Sequence, residues 1–70
     1  MGFYLYNKNK TDGVYHEVHV ITCNHLPDME NRVSLDEQKN CHDAIREAER
    51  LTGDHDFDGC MYCCENCHNG

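Results

Sequence analysis

The chain has 70 residues, 39% of them hydrophobic and 27% charged, and its 13 acidic residues outnumber six Lys plus Arg, which gives a formal charge of -7. A chain of this length forms one domain, residues 1–70, and an ordinary core of that size supplies only about 3–5 kcal/mol, so a metal, disulfides or a partner subunit is expected to help. The negative charge makes duplex nucleic acid an unfavourable partner. The sequence offers no run of about 20 apolar residues for a membrane span and no signal-peptide pattern at its start, so we expect a cytoplasmic protein.

The N-terminal part of the chain has the pattern of a β-hairpin. Residues 3–6 are mostly aromatic and apolar, and residues 14–21 are rich in β-branched side chains at alternating positions. The dipeptide Asp12-Gly13 between them is a turn signal. Residues 22–32 lack periodicity and are expected to form a loop, and residues 33–35 are a candidate third short strand.

One α-helix is predicted over about 41–52, where apolar or small residues recur at spacings of three and four. Asn40 is its expected N-cap and Gly53 its expected stop. A competing start at Ser34, with Glu37 completing a capping box, would lengthen the helix by two turns. We prefer Asn40 because the residues just before it bring nothing apolar to the buried face. The sequence thus predicts a small α+β domain that ends in a cysteine-rich tail.

The six cysteines are concentrated at the C-terminus, with four of them in the last eleven residues. Three disulfides would require an exported chain, so thiolate ligands for a metal are the better interpretation. The tail has no periodic pattern that would order it through regular secondary structure. A bound metal ion would order it.

Two weaker metal motifs overlap in this tail. The segment from Asp54 to Gly59, followed by Glu65, matches an EF-hand loop, but too few residues remain after it for a second helix, and Ca²⁺ does not use thiolates. Residues 64–68 match the C-x-x-C-H of covalent haem attachment, which belongs to exported proteins. We rank both below zinc.

The stronger motif is a pair of abutting C-x-x-C sequences, Cys60 with Cys63 and Cys64 with Cys67. A C-x-x-C is the usual half of a tetrahedral Zn²⁺ site. Closing both pairs around one ion would need two tight turns in succession. We therefore expect one Zn²⁺ held by one pair and by distant ligands, with Cys23 as the first candidate.

The remaining ligand is expected from His19 or Cys41. In an extended strand, positions 19 and 23 lie about 13 Å apart, so His19 can share an ion with Cys23 only if the chain turns at residues 21–24. A partly exposed strand histidine is an equally plausible interpretation. Cys41 falls on the apolar face of the predicted helix, where a small buried thiol is the preferred interpretation.

From residue 15 onward the chain resembles the metal-binding domain of Ada-type DNA repair proteins. The similarity consists of His19-x-x-x-Cys23, a loop, a strand at 33–35, a helix and a closing C-x-x-C. It implies one structural zinc held by His19, Cys23 and a terminal pair, either Cys64 with Cys67 or Cys60 with Cys63. The gap before the terminal pair is longer than in those domains and their flanking basic residues are missing. The chain is also similar to short uncharacterised bacterial proteins with a G-C-x-x-C-C-x-x-C-H tail.

These features favour a zinc-binding module without enzymatic activity, in which a fully coordinated structural zinc leaves no open position to activate water. We expect such a module to act by binding another macromolecule. Its acidity indicates a protein partner with a basic surface. The alternative is a thiol redox or metal-handling protein that uses the C-terminal C-x-x-C pairs.

Overall fold

The computed structural model describes residues 2–10 and 13–69. They form a small α+β domain with a four-stranded mixed sheet, one α-helix and two short 3₁₀ turns. The strands are β1 (Gly2–Asn7), β2 (His16–Val20), β3 (Arg32–Gln38) and β4 (Phe57–Gly59), and the helix is α1 (Cys41–Thr52). The fold class agrees with the sequence prediction. No helix in the described part of the chain is long and apolar enough to cross a lipid bilayer.

The sheet has the strand order β3-β1-β2-β4. The predicted hairpin is present, since β1 and β2 pair antiparallel with Tyr4 opposite Val20 and Tyr6 opposite Val18. Of its predicted turn, Gly13 has a left-handed φ of 80°, whereas Asp12 lies outside the described residues. After β2 the chain forms β3, which is one edge strand of the sheet. Helix α1 connects β3 to β4, the other edge strand, which pairs parallel with β2.

The third strand is longer than the predicted residues 33–35. It pairs antiparallel with β1 over its full length, with a bulge that places Leu35 between the partners of Tyr4 and Leu5. Asp36 at the bulge has a φ of 60°, which Asp tolerates better than most residues, and its backbone N–H donates to the Ser34 hydroxyl. The bulge directs Leu35 into the core. The competing helix start at Ser34 is therefore wrong.

The helix matches its predicted limits, and the reason is local. The Asn40 side chain accepts a hydrogen bond from the Asp43 N–H, and Gly53 closes the helix in the left-handed conformation with a φ of 77°. The fully buried Ala44 and Ala48 let α1 contact all four strands. They pack in one apolar cluster with side chains from every strand: Tyr6, Val18, Leu35 and Phe57.

Strand β4 lies in the region that has no periodic pattern in the sequence. It is only three residues long, and all three are buried. His16 pairs with Phe57 and Val18 with Gly59, so the chain leaves β4 beside the end of β2. This pairing brings the cysteine-rich tail next to the residues that follow β2.

Candidate metal centre

The first half of the site comes from β2 and the turn after it. His19 is 2% exposed and pairs with Leu5 across the sheet, which places it on the face opposite Val18 and the helix. The chain turns at Ile21 and the following threonine, and the Cys23 N–H donates to the Val20 carbonyl. This is the turn that His19 and Cys23 require if they are to share an ion.

The second half comes from the residues after β4. The Cys60 N–H donates to the Val18 carbonyl at 3.0 Å, which extends the parallel pairing by one residue. A tight turn follows, in which the Cys64 N–H donates to the Cys60 carbonyl at 2.8 Å. The turn returns Cys63 toward the sheet, with its sulfur 3.9 Å from His19 Nδ1.

The ligand atoms of these four side chains all lie within 4.8 Å of one another, so the group can hold a metal ion. We call it the His-Cys₃ group: His19, Cys23, Cys60 and Cys63. The Cys23 and Cys60 sulfurs are 3.9 Å apart. Two sulfurs bound to one tetrahedral zinc at about 2.3 Å lie about 3.8 Å apart, so this spacing fits a shared ion.

Backbone amides and ring contacts support the two ligand loops. The His25 N–H points at the Cys23 sulfur and the Tyr62 N–H at the Cys60 sulfur, each at 3.4 Å. Each donor lies two residues after its cysteine, and such bonds favour the thiolate form that binds metal. The His25 and Tyr62 rings also stack with centroids 3.8 Å apart, which joins the two loops directly.

Burial shifts the pKa values of His19 and Cys63 in opposite directions. Burial lowers the pKa of His19, and the neighbouring His25 and Arg32 lower it further, so the imidazole stays in the neutral form that binds metal. Its Nε2 faces the Glu17 carboxylate at 3.6 Å while Nδ1 faces Cys63, the arrangement in which a carboxylate orients a ligand histidine. Burial raises the pKa of Cys63, so an incoming metal must displace its proton.

The second C-x-x-C pair goes elsewhere. Cys64 and Cys67 lie beside Cys41 at the start of α1, and we call these three residues the three-thiol cluster. The Cys41 and Cys67 sulfurs are 2.6 Å apart, and the Cys64 sulfur lies 3.9 Å from that of Cys63. Burial raises the pKa of Cys64 and of Cys67 to about 12. Of the six predicted ligands, Cys64 and Cys67 thus lie outside the His-Cys₃ group.

Gly59 allows the tail to pack this closely. A Cβ at this position would lie 2.5 Å from the Cys64 carbonyl oxygen and 2.7 Å from the Cys67 Cβ. Both are closer than real Cβ contacts. The glycine therefore makes room for both residues of the second pair, a role that the sequence pattern did not indicate.

The residues of the two weaker motifs make other contacts. Asp56 forms a 2.6 Å ion pair with Lys10, and Asp58 accepts a hydrogen bond from the Asn69 N–H. His68 Nδ1 lies 2.9 Å from the Gly59 carbonyl oxygen. Within residues 2–10 and 13–69, the group with metal-binding geometry is the His-Cys₃ group and not a carboxylate loop.

Comparisons of the chain with protein-family models, with curated proteins and with solved structures find no match. The assignment of a metal centre thus depends on the four converging side chains.

Proposed function

We propose that the protein is a small zinc-binding module whose single zinc is structural and which acts by binding a protein partner. The observation that carries the proposal is the convergence of His19 and three cysteines, contributed by β2 and the two loops that follow β2 and β4. Three sulfurs and one imidazole are a usual ligand set for structural zinc, and four protein ligands leave no position for a catalytic water. This is why we propose binding and not catalysis.

The ligand set agrees with the resemblance to Ada-type domains, and the resemblance stays part of the proposal. It requires His19, Cys23 and one terminal pair, and the pair that lies beside them is Cys60 with Cys63. The missing basic residues and the charge of -7 count against the DNA contacts that such domains make. We therefore transfer the zinc site to this chain and not the DNA-repair activity.

The exposed charged and apolar side chains of the surface favour a basic protein as the partner. Three of the six cations are engaged with acidic side chains of the chain itself: Lys10, Arg46 and Arg50. Exposed carboxylates are spread over the loops and the β3 edge: Asp28, Glu30, Asp36, Glu37, Asp54 and Glu65. Apolar side chains of the ligand loops are also exposed, with Ile21 at 54%, Met61 at 52% and Tyr62 at 65%. A partner with a basic surface and an apolar spot would complement both features.

Native mass spectrometry tests the zinc. The protein, purified without added metal, should be heavier than the chain by one zinc under native conditions and should lose that mass in acid. A bare chain lacking six hydrogens would indicate three disulfides, and a haem mass that survives acid would indicate a cytochrome. Either result would refute the structural zinc.

Salt dependence tests the partner. Zinc-loaded protein on a resin should capture a basic protein from a cell extract at about 50 mM salt and lose it at about 500 mM, because screening shortens the reach of surface charges. A variant with Glu30 and Glu37 changed to lysine, both exposed, should capture less. Association that does not change with salt would refute a charge-based partner.

The alternative is a thiol redox or metal-handling protein. Two observations favour it: the 2.6 Å approach of the Cys41 and Cys67 sulfurs, and a cleft of about 380 Å³ lined in part by Cys23 and Cys63. Such a cleft would give an acceptor access to the ion. Thiol titration discriminates the two functions, because a structural zinc protects its cysteines until a chelator is added, whereas a carrier exchanges its ion readily.

A further inference from the structure

The three-thiol cluster has a spacing that a shared metal ion does not explain. The Cys41 and Cys67 sulfurs are 2.6 Å apart, more than 1 Å closer than the roughly 3.8 Å between two sulfurs on one zinc. A disulfide bond is about 2.05 Å long, so only a small movement separates the two sulfurs from bonding distance. Both residues are free cysteines in the structure.

Both thiols are held by ordered backbone. Cys41 is the first residue of α1, directly after the Asn40 cap. Cys67 ends a 3₁₀ turn in which its N–H donates to the Cys64 carbonyl at 2.9 Å. The two residues lie 26 positions apart in the chain, so the fold and not sequence proximity brings them together.

The two thiols also differ in accessibility. Cys41 is half-buried, whereas Cys67 is 5% exposed. An external reagent can therefore reach Cys41 more readily than Cys67. This asymmetry is what stepwise thiol-disulfide exchange needs: an outer thiol that reacts first and an inner thiol that resolves the intermediate.

We propose that Cys41 and Cys67 are a thiol-disulfide exchange site for low-molecular-weight disulfides, separate from the His-Cys₃ group. The Cys41 thiolate attacks one sulfur of the reagent R–S–S–R, forming a mixed disulfide and releasing one thiolate. Cys67 then loses its proton and attacks the Cys41 sulfur, which expels the second thiolate. Two protein thiols are oxidised to one disulfide, and the reagent is reduced to two R–SH.

Oxidation of Cys41 and Cys67 would tie the C-terminal tail to helix α1. A Cys41–Cys67 bond would link the start of α1 to the 3₁₀ turn Glu65–Cys67, while all four residues of the His-Cys₃ group keep their ligand atoms. Oxidation therefore yields a zinc-loaded, internally linked protein.

The test exposes the zinc-loaded full chain to oxidised glutathione and measures the intact mass under native conditions. We expect one product that lacks two hydrogens and keeps its zinc. The remaining thiols are then blocked with an alkylating agent before digestion. Trypsin cleaves after Lys39, Arg46 and Arg50, so peptide 40–46 contains only Cys41 and peptide 51–70 contains the four cysteines of the tail. The two peptides should be recovered from the oxidised, zinc-loaded protein as a disulfide-linked pair.

Three serine variants identify the partners. Cys41→Ser and Cys67→Ser should each lose the linked pair, whereas the matched Cys64→Ser should keep it. A linked pair that persists in Cys67→Ser would overturn the assignment of the inner thiol. Two metal ions per chain, with Cys41 and Cys67 protected from alkylation until a chelator is added, would overturn the exchange site.

Discussion

The His-Cys₃ group and the three-thiol cluster are built from neighbouring residues but have different sulfur spacings. In the first, the Cys23 and Cys60 sulfurs stand 3.9 Å apart, which leaves room for an ion between them. In the second, the Cys41 and Cys67 sulfurs stand 2.6 Å apart, which leaves no room for an ion. Cys63 and Cys64 are adjacent in the chain, yet each belongs to a different group. Adjacent cysteines therefore need not share one site. The chemistry that each group supports differs because the Cys23–Cys60 spacing fits a shared ion and the Cys41–Cys67 spacing does not.

The largest expected effect is a difference in zinc content and folding between serine variants of the two groups. Cys23→Ser removes a ligand of the His-Cys₃ group, and the loss of zinc should unfold the domain, because structural zinc contributes on the order of 10 kcal/mol. Cys67→Ser leaves all four ligands in place and should retain zinc. Bound zinc per chain and far-ultraviolet circular dichroism measure both effects. Full zinc in Cys23→Ser, or complete loss in Cys67→Ser, would reverse the assignment of the two groups.

Oxidation of the three-thiol cluster should stabilise the fold by a smaller amount. A bond between Cys41 and Cys67 closes a loop of 26 residues, and the chain-entropy model predicts about 3.5 kcal/mol of stabilisation for a loop of that size. Guanidinium unfolding of the reduced and oxidised zinc-loaded protein should show this difference. The Cys41→Ser variant is the control, since the same treatment should leave its stability unchanged. A destabilised oxidised form would show that the bond distorts the native backbone.

The local features of the fold were predictable from the sequence, and the non-local ones were not. Helix α1 was predicted to its ends because Asn40 and Gly53 act on the residues next to them. Strand β4 was missed because three residues are too few for a periodic pattern and its pairing with β2 is non-local. The bulge at Leu35 concealed the length of β3, because the extra residue interrupts the alternation.

The distinction between local and non-local features also applies to the candidate metal centre. The spacing of each C-x-x-C is local, so the sequence indicated both pairs as candidate half-sites. Which pair lies beside His19 depends on the pairing of β4 with β2, which places Cys60 next to Val18. Cys41 was expected as a buried thiol on the helix face, and only the tertiary structure places it beside Cys67.

Gly59 precedes Cys60 and packs against Cys64 and Cys67, so replacing it should disturb the packing of the tail. In Gly59→Ala the new methyl group would lie 2.5 Å from the Cys64 carbonyl oxygen, so the backbone of the tail would have to shift. We expect a loss of about 1–3 kcal/mol, as for other overpacked sites. The matched control is Gly2→Ala, whose methyl group would meet only the Val20 side chain at 3.3 Å, with Tyr4 further away. Equal thermal midpoints for the two variants would contradict the close packing at Gly59.

The pH dependence of zinc affinity tests the chemistry of the His-Cys₃ group. Burial lowers the pKa of His19 below its usual 6.5, so above that pH the imidazole is neutral and zinc displaces no proton from it. Burial raises the pKa of Cys63 above its usual 9.0, so near pH 7 zinc must displace the thiol proton. Proton release makes binding tighter as pH rises, by about tenfold per pH unit for each thiol displaced.

A His19→Cys variant isolates the contribution of the imidazole. It exchanges a ligand that is already deprotonated for a fourth thiol, and the burial that affects Cys63 should also raise the pKa of the new thiol. Competition against a chromophoric chelator between about pH 7 and about pH 8 should therefore show a slope steeper by up to about tenfold per pH unit than in the native chain. Identical slopes would mean that zinc displaces no additional proton from the variant, and His19 would then not be a ligand. Cys67→Ser should keep the native slope, because its thiol lies in the three-thiol cluster and outside the His-Cys₃ group.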